Sequence, residues 1–417
     1  MALAWTAADG LAQLQQYTAP GSLALPQVAS QDRLEQAVEE ARFRLGPIAW
    51  APWFAFKDLT YISGTGTSAS GDDADLTGTV AGGIHAYVQP RRRIIFAAHA
   101  IPEYVWWNNR ESRNVVNGSY GAGIFAFLSR FTLEAVAVKS RHQEFLSSEY
   151  EDLVNTRRDD GRVNLEIPLF GRTSLYGTAE STAWRYREED LAGEEGLALL
   201  SLDRDEKRAG GGLRWHLREG FTLGLGIERL DVTFLHPERD RSNSGDVRVV
   251  QADWEGANLA LSVHLSSMSL EPEAGSQFVA FDDNLGSVQL QLHPKGRTRL
   301  MAYTGRNLVF SYLGEAPYFV DARTGVSVER NLGYRSGARI FAERGRSEYP
   351  TSVGADEGRD QEFTTLGAGV ALQIRRSLSV HLEASRSKYT STEGGTDRDV
   401  TRFQVALRTS SEQAQWW

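Results

Sequence analysis

Charged side chains recur at every second position of many apolar segments, and they are the groups through which this chain could act on a solute. On the faces opposite the apolar residues lie Arg214, Arg323, Arg335, Arg339, Arg375, Arg402 and Arg408. Asp321, Glu329, Glu343, Glu383, Glu228 and Glu166 share those faces, with His381, His264 and His216. Sinking so many charges into a dry core is costly unless each is paired, whereas a water-filled channel accommodates them. The arginines concentrate on the last strands, beside Glu329, Glu343 and Glu383. Two roles fit that cluster. It sets a transverse field, or a polar track for a glycan, at a constriction, or it braces the wall through interior salt bridges.

Other chemistry finds little purchase. The glycine-rich runs Gly121–Phe127 and Gly224–Glu228 lie inside strand-like segments and are not followed by a helix that could cradle a phosphate. Eight histidines are scattered without ligand spacing, so no metal is expected. No acid–base pair stands out among the many carboxylates. The expectation is therefore a protein with no catalytic residues and no cofactor. A formal net charge of -9 also argues against nucleic acid as a partner.

The elements that position the charges follow from periodicity. From Leu45 onward, apolar and polar residues alternate with period two, the signature of strands with one face against an apolar medium. Ile48, Trp50, Pro52, Phe54 and Phe56 form one such face. Leu366, Ala368, Val370, Leu372 and Ile374 form another, as do Leu378, Val380 and Leu382, and Phe403, Val405 and Leu407. Only Asp32–Arg44 breaks the rule, with Leu34, Ala37, Val38 and Ala41 at helical spacing. The organisation expected is an N-terminal plug or periplasmic segment over residues 1–45, with one amphipathic helix, and a β-barrel over 46–417.

The connections separate a membrane barrel from a soluble sandwich. Short links such as Gln89–Arg92, Leu128–Arg130, Phe170–Arg172 and Arg218–Gly220 alternate with long polar ones such as Ser63–Asp75, Asn108–Ser119, Phe145–Asp160, Glu188–Glu195, Gly345–Gln361 and Ser391–Asp399. Eight short and nine long links join about eighteen strands, as in an up-and-down transmembrane barrel with short periplasmic turns and long outer loops. No apolar run approaches the ~20 residues of a spanning helix. Mean hydropathy of -0.37 suits strands in which only every second residue meets lipid. Trp50, Tyr104, Trp106, Trp107, Trp184, Tyr186, Trp215 and Trp254 fall near strand ends, where amphipathic rings are favoured at the headgroup level. Met1–Ala8 lacks the basic and apolar stretches of an export signal, so the chain reads as a mature form carrying a start Met.

Phe43–Gly66, reading FRLGPIAWAPWFAFKDLTYISGTG, followed by hairpins with short basic turns, resembles the outer-membrane β-barrel proteins of Gram-negative capsular and exopolysaccharide loci. The resemblance implies a porin-like membrane barrel and, less directly, polysaccharide export. Such barrels commonly end on a strand with a terminal aromatic. Here Trp417 is separated from Phe403, Val405 and Leu407 by the polar stretch Thr409–Gln415. The function expected is passage of polar solutes, or of a polysaccharide, across the outer membrane of a diderm bacterium. The alternative is a docking barrel with a closed lumen that binds a partner through its long loops. Outer-membrane lipid and lipopolysaccharide are expected surroundings. A periplasmic partner at residues 1–45 and assembly into homo-oligomers are further expectations.

Overall fold

Alternation over some fourteen residues per segment produces strands long enough to cross a bilayer at a tilt. The computed structural model describes residues 30–409 except 64–74, 110, 147–148, 150–152, 188–193, 219, 294–296, 313–315, 334, 351–359, 376–377 and 392–396. Helix α1 (Ser30–Glu40) and the short strand β1 (Phe43–Leu45) lead into the wall. The wall begins with β2 (Ile48–Ser63), β3 (Asp75–Arg91), β4 (Ile94–Trp107), β5 (Val115–Phe127), β6 (Thr132–Phe145) and β7 (Leu153–Pro168). It continues through β8 (Thr173–Arg187), β9 (Arg204–Arg218), β10 (Phe221–Phe234), β11 (Asn243–Glu255), β12 (Leu259–Pro272) and β13 (Phe281–Leu292). Strands β14 (Thr298–Phe310), β15 (Tyr318–Asn331), β16 (Ser336–Glu348), β17 (Asp360–Arg375), β18 (Leu378–Ser391) and β19 (Arg398–Thr409) complete it.

Each strand pairs antiparallel with its chain neighbours, and β19 closes the ring on β2 with Phe403 opposite Tyr61 and Val405 opposite Leu59. The eighteen strands β2–β19 thus form one closed antiparallel barrel. The nineteenth, β1, folds back on the start of β2 through a turn in which Gly46 takes a φ of 59°. Links at one end of the barrel hold two to five residues and links at the other six to sixteen, in strict alternation. Gly171 and Gly220 supply the left-handed backbone, φ 58° and 73°, that two of the short turns need.

Side-chain burial follows the alternation. On β17, Leu366, Val370, Leu372 and Ile374 are exposed on the outer face, while Phe363 and Thr365 are buried inside. The same division holds on β10, where Leu225 and Ile227 face out and Glu228, Leu230, Val232 and Phe234 face in. Among the described residues, no helix is long and apolar enough to cross a membrane. The membrane contact is the outer face of the sheet.

The β13–β14 seam is open at its long-link end. The β13–β14 ladder runs from Leu292–Leu300 only to Gly286–Arg306, so Phe281–Leu285 and Asn307–Phe310 do not pair. Leu308 and Phe310 lie on the same side of β14 as Thr304, and Tyr318 and Val320 on the same side of β15 as Val326, which face out. All four are nevertheless buried. They pack in one apolar cluster with the inward residues Leu230, Val232, Phe234, Met268, Leu270 and Phe281. Arg306, also on the outer side of its strand, reaches the inward Asp283 at 2.7 Å. The long-link end of the β14–β15 hairpin has therefore left the wall and lies inside the cylinder, its outer face against the inner face of β10–β13. Each large apolar side chain so buried contributes roughly 1.5–3 kcal/mol, which offsets the lost ladder bonds.

Candidate functional site: the barrel lumen

The lumen has two distinct ends. At the short-link end, Leu34, Ala37 and Val38 of α1 pack on Ala49, Tyr87, Ile95, Ala97, Phe125 and Phe127 of the inner wall. Arg44 Nη2 donates to the Val38 carbonyl at 2.7 Å and ties down the C-terminal turn of the helix. The apolar stripe legible in the sequence thus docks α1 inside the barrel mouth.

The long-link end is narrowed by the inward hairpin and by a second helix, α2 (Glu194–Leu200), in the β8–β9 link. Ala198, Leu199 and Leu202 join the same apolar cluster, together with Val154, Trp184 and Tyr186 of the wall. Opposite them, Glu149 in the β6–β7 link meets the β14–β15 link, eight strands further round a ring of eighteen. Its carboxylate accepts from Ser311 Oγ at 2.5 Å and from the Tyr312 backbone N–H at 2.5 Å. The Tyr349 hydroxyl and the Arg241 guanidinium also face it, and Arg241 donates to the Ser311 carbonyl. Burial raises the Glu149 carboxyl above its ordinary value, against the pull of those donors and of Arg241. Burial likewise lowers Arg241, to about 10.

Between the two ends the inner wall is a lattice of ion pairs. Glu166 on β7 holds Arg214 of β9, accepts from Ser174 Oγ at 2.6 Å and lies 3.3 Å from His216 Nε2. The Arg214 guanidinium stacks over the Tyr176 ring at 4.8 Å, where Gly226 leaves room for the tyrosine hydroxyl. Arg323 bridges Asp321 and Glu343, the latter at 3.5 Å, and lies 5.1 Å over the Phe363 ring. All three ionic partners are buried. Nearer the short-link end, Arg339 stands between Glu329 at 3.9 Å and Glu383 at 3.7 Å, with Arg299 also on Glu329. These groups keep 24–37% of their side-chain surface open. Water reaches the lower charges, while the inward hairpin shields the upper ones.

Several solved structures share this closed antiparallel barrel fold. Pseudomonas aeruginosa OccK2 (OpdF) is 11% identical, with 88% of this chain and 99% of that one covered at a TM-score of 0.53. A BenF-like porin from Pseudomonas fluorescens Pf-5 is 10% identical over the same shares of the two chains, again at 0.53. OccK2 (OpdF) in complex with glucuronate is 10% identical over 87% and 98%, at 0.52. This is the outer-membrane porin fold. No protein-family model and no curated protein matches the chain.

Within this porin fold the charges singled out in the sequence fall into three groups. Arg214, Arg323, Arg339, Asp321, Glu329, Glu343, Glu383 and Glu228 stand on the inner wall, and Glu228 meets Arg208 at 3.8 Å. His381 stands there too, 3.1 Å from Ser379 Oγ, and Arg402 is half-buried opposite the inward Ser385. Arg335 and Arg375 differ. Arg335 is exposed in the β15–β16 turn, off the wall, because alternation continued past Asn331, where the strand ends. Arg375 is exposed at the short-link rim as the last residue of β17. Arg408 belongs to β19, but its side chain lies outside the described residues, as do Trp417 and most of the Thr409–Gln415 stretch.

Three ring assignments change. Trp107, Trp184 and Tyr186 are buried on the inner face instead of sitting at the headgroup level. Arg113 covers Trp107 at 5.5 Å, and Arg158 and Arg204 sandwich Trp184 at 4.7 and 5.2 Å. Trp106 and Trp107 are adjacent, so only one can face lipid, and register gave the outside to Trp106. Residues missed in the sequence include Arg204, Arg208, Arg241 and Glu149. Arg204 and Arg208 lie on β9, Arg241 in the β10–β11 link and Glu149 in the β6–β7 link, and only the alternation of Arg204 with Glu206 and Arg208 on β9 offered a signal.

Proposed function

We propose that this chain is a Gram-negative outer-membrane porin that passes small polar solutes through a lumen narrowed on its extracellular side. The observation that carries this reading is the inner wall. Paired charges such as Arg339, Glu329 and Glu383 line a closed eighteen-strand cylinder and remain open to water. A barrel of that circumference leaves a channel wherever its interior is not filled. Short links mark the periplasmic side. The solved structure of the similar OccK2 (OpdF) is a complex with glucuronate, so sugar acids are the first solutes to test.

Small solutes fit this interior better than an exported polysaccharide. The dry cluster built by α2 and the β14–β15 hairpin occupies the extracellular lumen along β7–β13, where a hydrated polymer would have to emerge. Selection by paired charges needs no chemical step, and no catalytic residue is assigned. Planar-bilayer recordings test the proposal: the purified barrel gives steady ionic conductance. Complete absence of conductance, with or without residues 1–45, would favour the second reading. That reading is a barrel sealed by the hairpin and the Glu149 contact, which displays its outer links to a partner.

A further inference from the structure

Rings on the inner wall lie over glycines of the neighbouring strand. Phe341 stands directly opposite Gly367, Phe363 opposite Gly345 and Tyr303 opposite Gly325. In each pair a methyl added to the glycine would collide with the ring, so the ring covers the bare backbone of its partner. A strand side chain otherwise stands roughly perpendicular to its sheet, which on this face means toward the lumen axis. Glycine at the facing position lets a bulky ring lie along the wall instead of narrowing the channel.

Two of these rings carry a third layer. Arg339, two residues before Phe341 on β16, lies 4.8 Å over the Phe341 ring, and Arg323 lies 5.1 Å over Phe363. At such distances the ring attracts the guanidinium in addition to the carboxylates beside it. The two stacks differ in exposure. Arg323 keeps 8% of its side-chain surface open and Arg339 keeps 24%. The Tyr303–Gly325 pair carries no stacked guanidinium among the described residues. Around Arg339 the row across β14–β18 reads Arg299, Glu329, Arg339 and Glu383, cations and carboxylates in equal number. Held on the ring between Glu329 and Glu383, Arg339 presents a balanced surface. Lifted off it, the same guanidinium stands in the lumen as a cation.

We propose that Gly367 and Phe341 are positioning residues for solute selection, a two-residue support that holds the Arg339 guanidinium against the wall and so sets the charge a passing solute meets. The inference rests on the pore reading above and deepens it. Gly367 acts by leaving room for the ring, and Phe341 by offering its face to the guanidinium. Neither touches the solute, and both act through Arg339.

Reversal potential across a salt gradient tests this. Gly367→Ala drives the Phe341 ring off the wall and Arg339 with it, so conductance is expected to fall and selectivity to shift toward anions. In an Arg339→Ala background the same Gly367→Ala change is expected to add no further shift, the signature of coupled residues in a double-mutant cycle. Gly325→Ala strains the Tyr303 ring in the same way but moves no guanidinium, so its reversal potential matches that of the unaltered chain. Retained heat-modifiable gel migration confirms that each variant is folded. A second measurement reads the position itself. In barrels with isotopically labelled arginine, the Arg339 side-chain N–H resonance, assigned by its loss in Arg339→Lys, carries the ring-current shift of Phe341. That shift is expected to shrink in Gly367→Ala, vanish in Phe341→Leu and persist in Gly325→Ala. The resonance does not depend on conduction, so a barrel that passes no current but shows this pattern contradicts the pore and supports the positioning role. An unshifted reversal potential in Gly367→Ala, an equal shift in Gly325→Ala, a shift that survives without Arg339, or an Arg339 resonance indifferent to Phe341→Leu would overturn the proposal.

Discussion

The Phe310 ring meets the Phe234 ring edge-on, with centroids 4.9 Å apart, although Phe310 lies on the outward side of β14 and Phe234 on the inward side of β10. Two residues of opposite facing can touch only if one strand lies inside the other. That contact defines the inner layer, and the packing of Phe278, Phe281 and Tyr318 extends it, with Tyr318 centroids 5.1 and 5.6 Å from the two phenylalanines.

Truncating Phe310 to Ala removes the ring that holds the hairpin in. A buried Phe→Ala change costs about 3–5 kcal/mol, and here much of that cost falls on the docked hairpin. Single-channel conductance is expected to rise, with noisier current, while the barrel itself stays folded. Conductance and current noise recorded beside the unaltered chain check this.

The Glu149 contact carries a pH dependence of definite sign. Its folded carboxyl is raised by burial, so the docked state binds the proton more tightly than the undocked chain. The stabilisation is complete below the ordinary carboxylate value of 4.5 and fades as pH rises through the raised one. Conductance is therefore expected to be lowest in acid and to increase toward neutrality. Glu149→Gln, which is uncharged at every pH, is expected to flatten the profile. Recordings from pH 4 to 8 on both proteins provide the check.

Arg339 and Arg323 are expected to behave differently despite similar partners. Arg339 is open to the lumen between Glu329 and Glu383, so Arg339→Ala exposes their charge to passing ions and shifts the reversal potential toward cation preference. Glu383→Gln shifts it the other way. Arg323 is buried between Asp321 and Glu343, and Arg323→Ala leaves two carboxylates uncompensated at a cost of about 3–5 kcal/mol. Thermal unfolding separates the second effect from the first.

Leu34→Asp is expected to release α1 from the barrel mouth, since it places a carboxylate against Tyr87, Ile95 and Phe125. Protease sensitivity of the N-terminal segment should rise while the barrel remains resistant. Unchanged sensitivity would mean that the helix is held by something other than its apolar stripe.

Much of the wall was legible because period-two alternation over lipid leaves each strand a clean outer face, as in Leu366, Val370 and Leu372. Alternating link lengths supplied the strand number and closure. The inner layer was hidden, because Leu308, Phe310, Tyr318 and Val320 look like any lipid-facing set until the β13–β14 ladder is seen to stop at Gly286. The second helix was hidden for a similar reason. Leu197–Leu200 reads as the start of another strand, and only packing on Trp184 and Phe234 makes it a lumen filler. Alternation also distinguishes faces but not strand ends, which is how Arg335 came to be placed on the wall. Pairing partners such as Glu343 for Arg323 depend on register between strands that no single segment encodes.

The size of solute that crosses the lumen is the most direct test of the central claim. Liposomes containing the folded chain should swell in isotonic monosaccharides and sugar acids and should swell little in long oligosaccharides, with the limit widened by Phe310→Ala. Equal entry of monosaccharide and long polymer, or no entry of either, would contradict a narrowed polar pore.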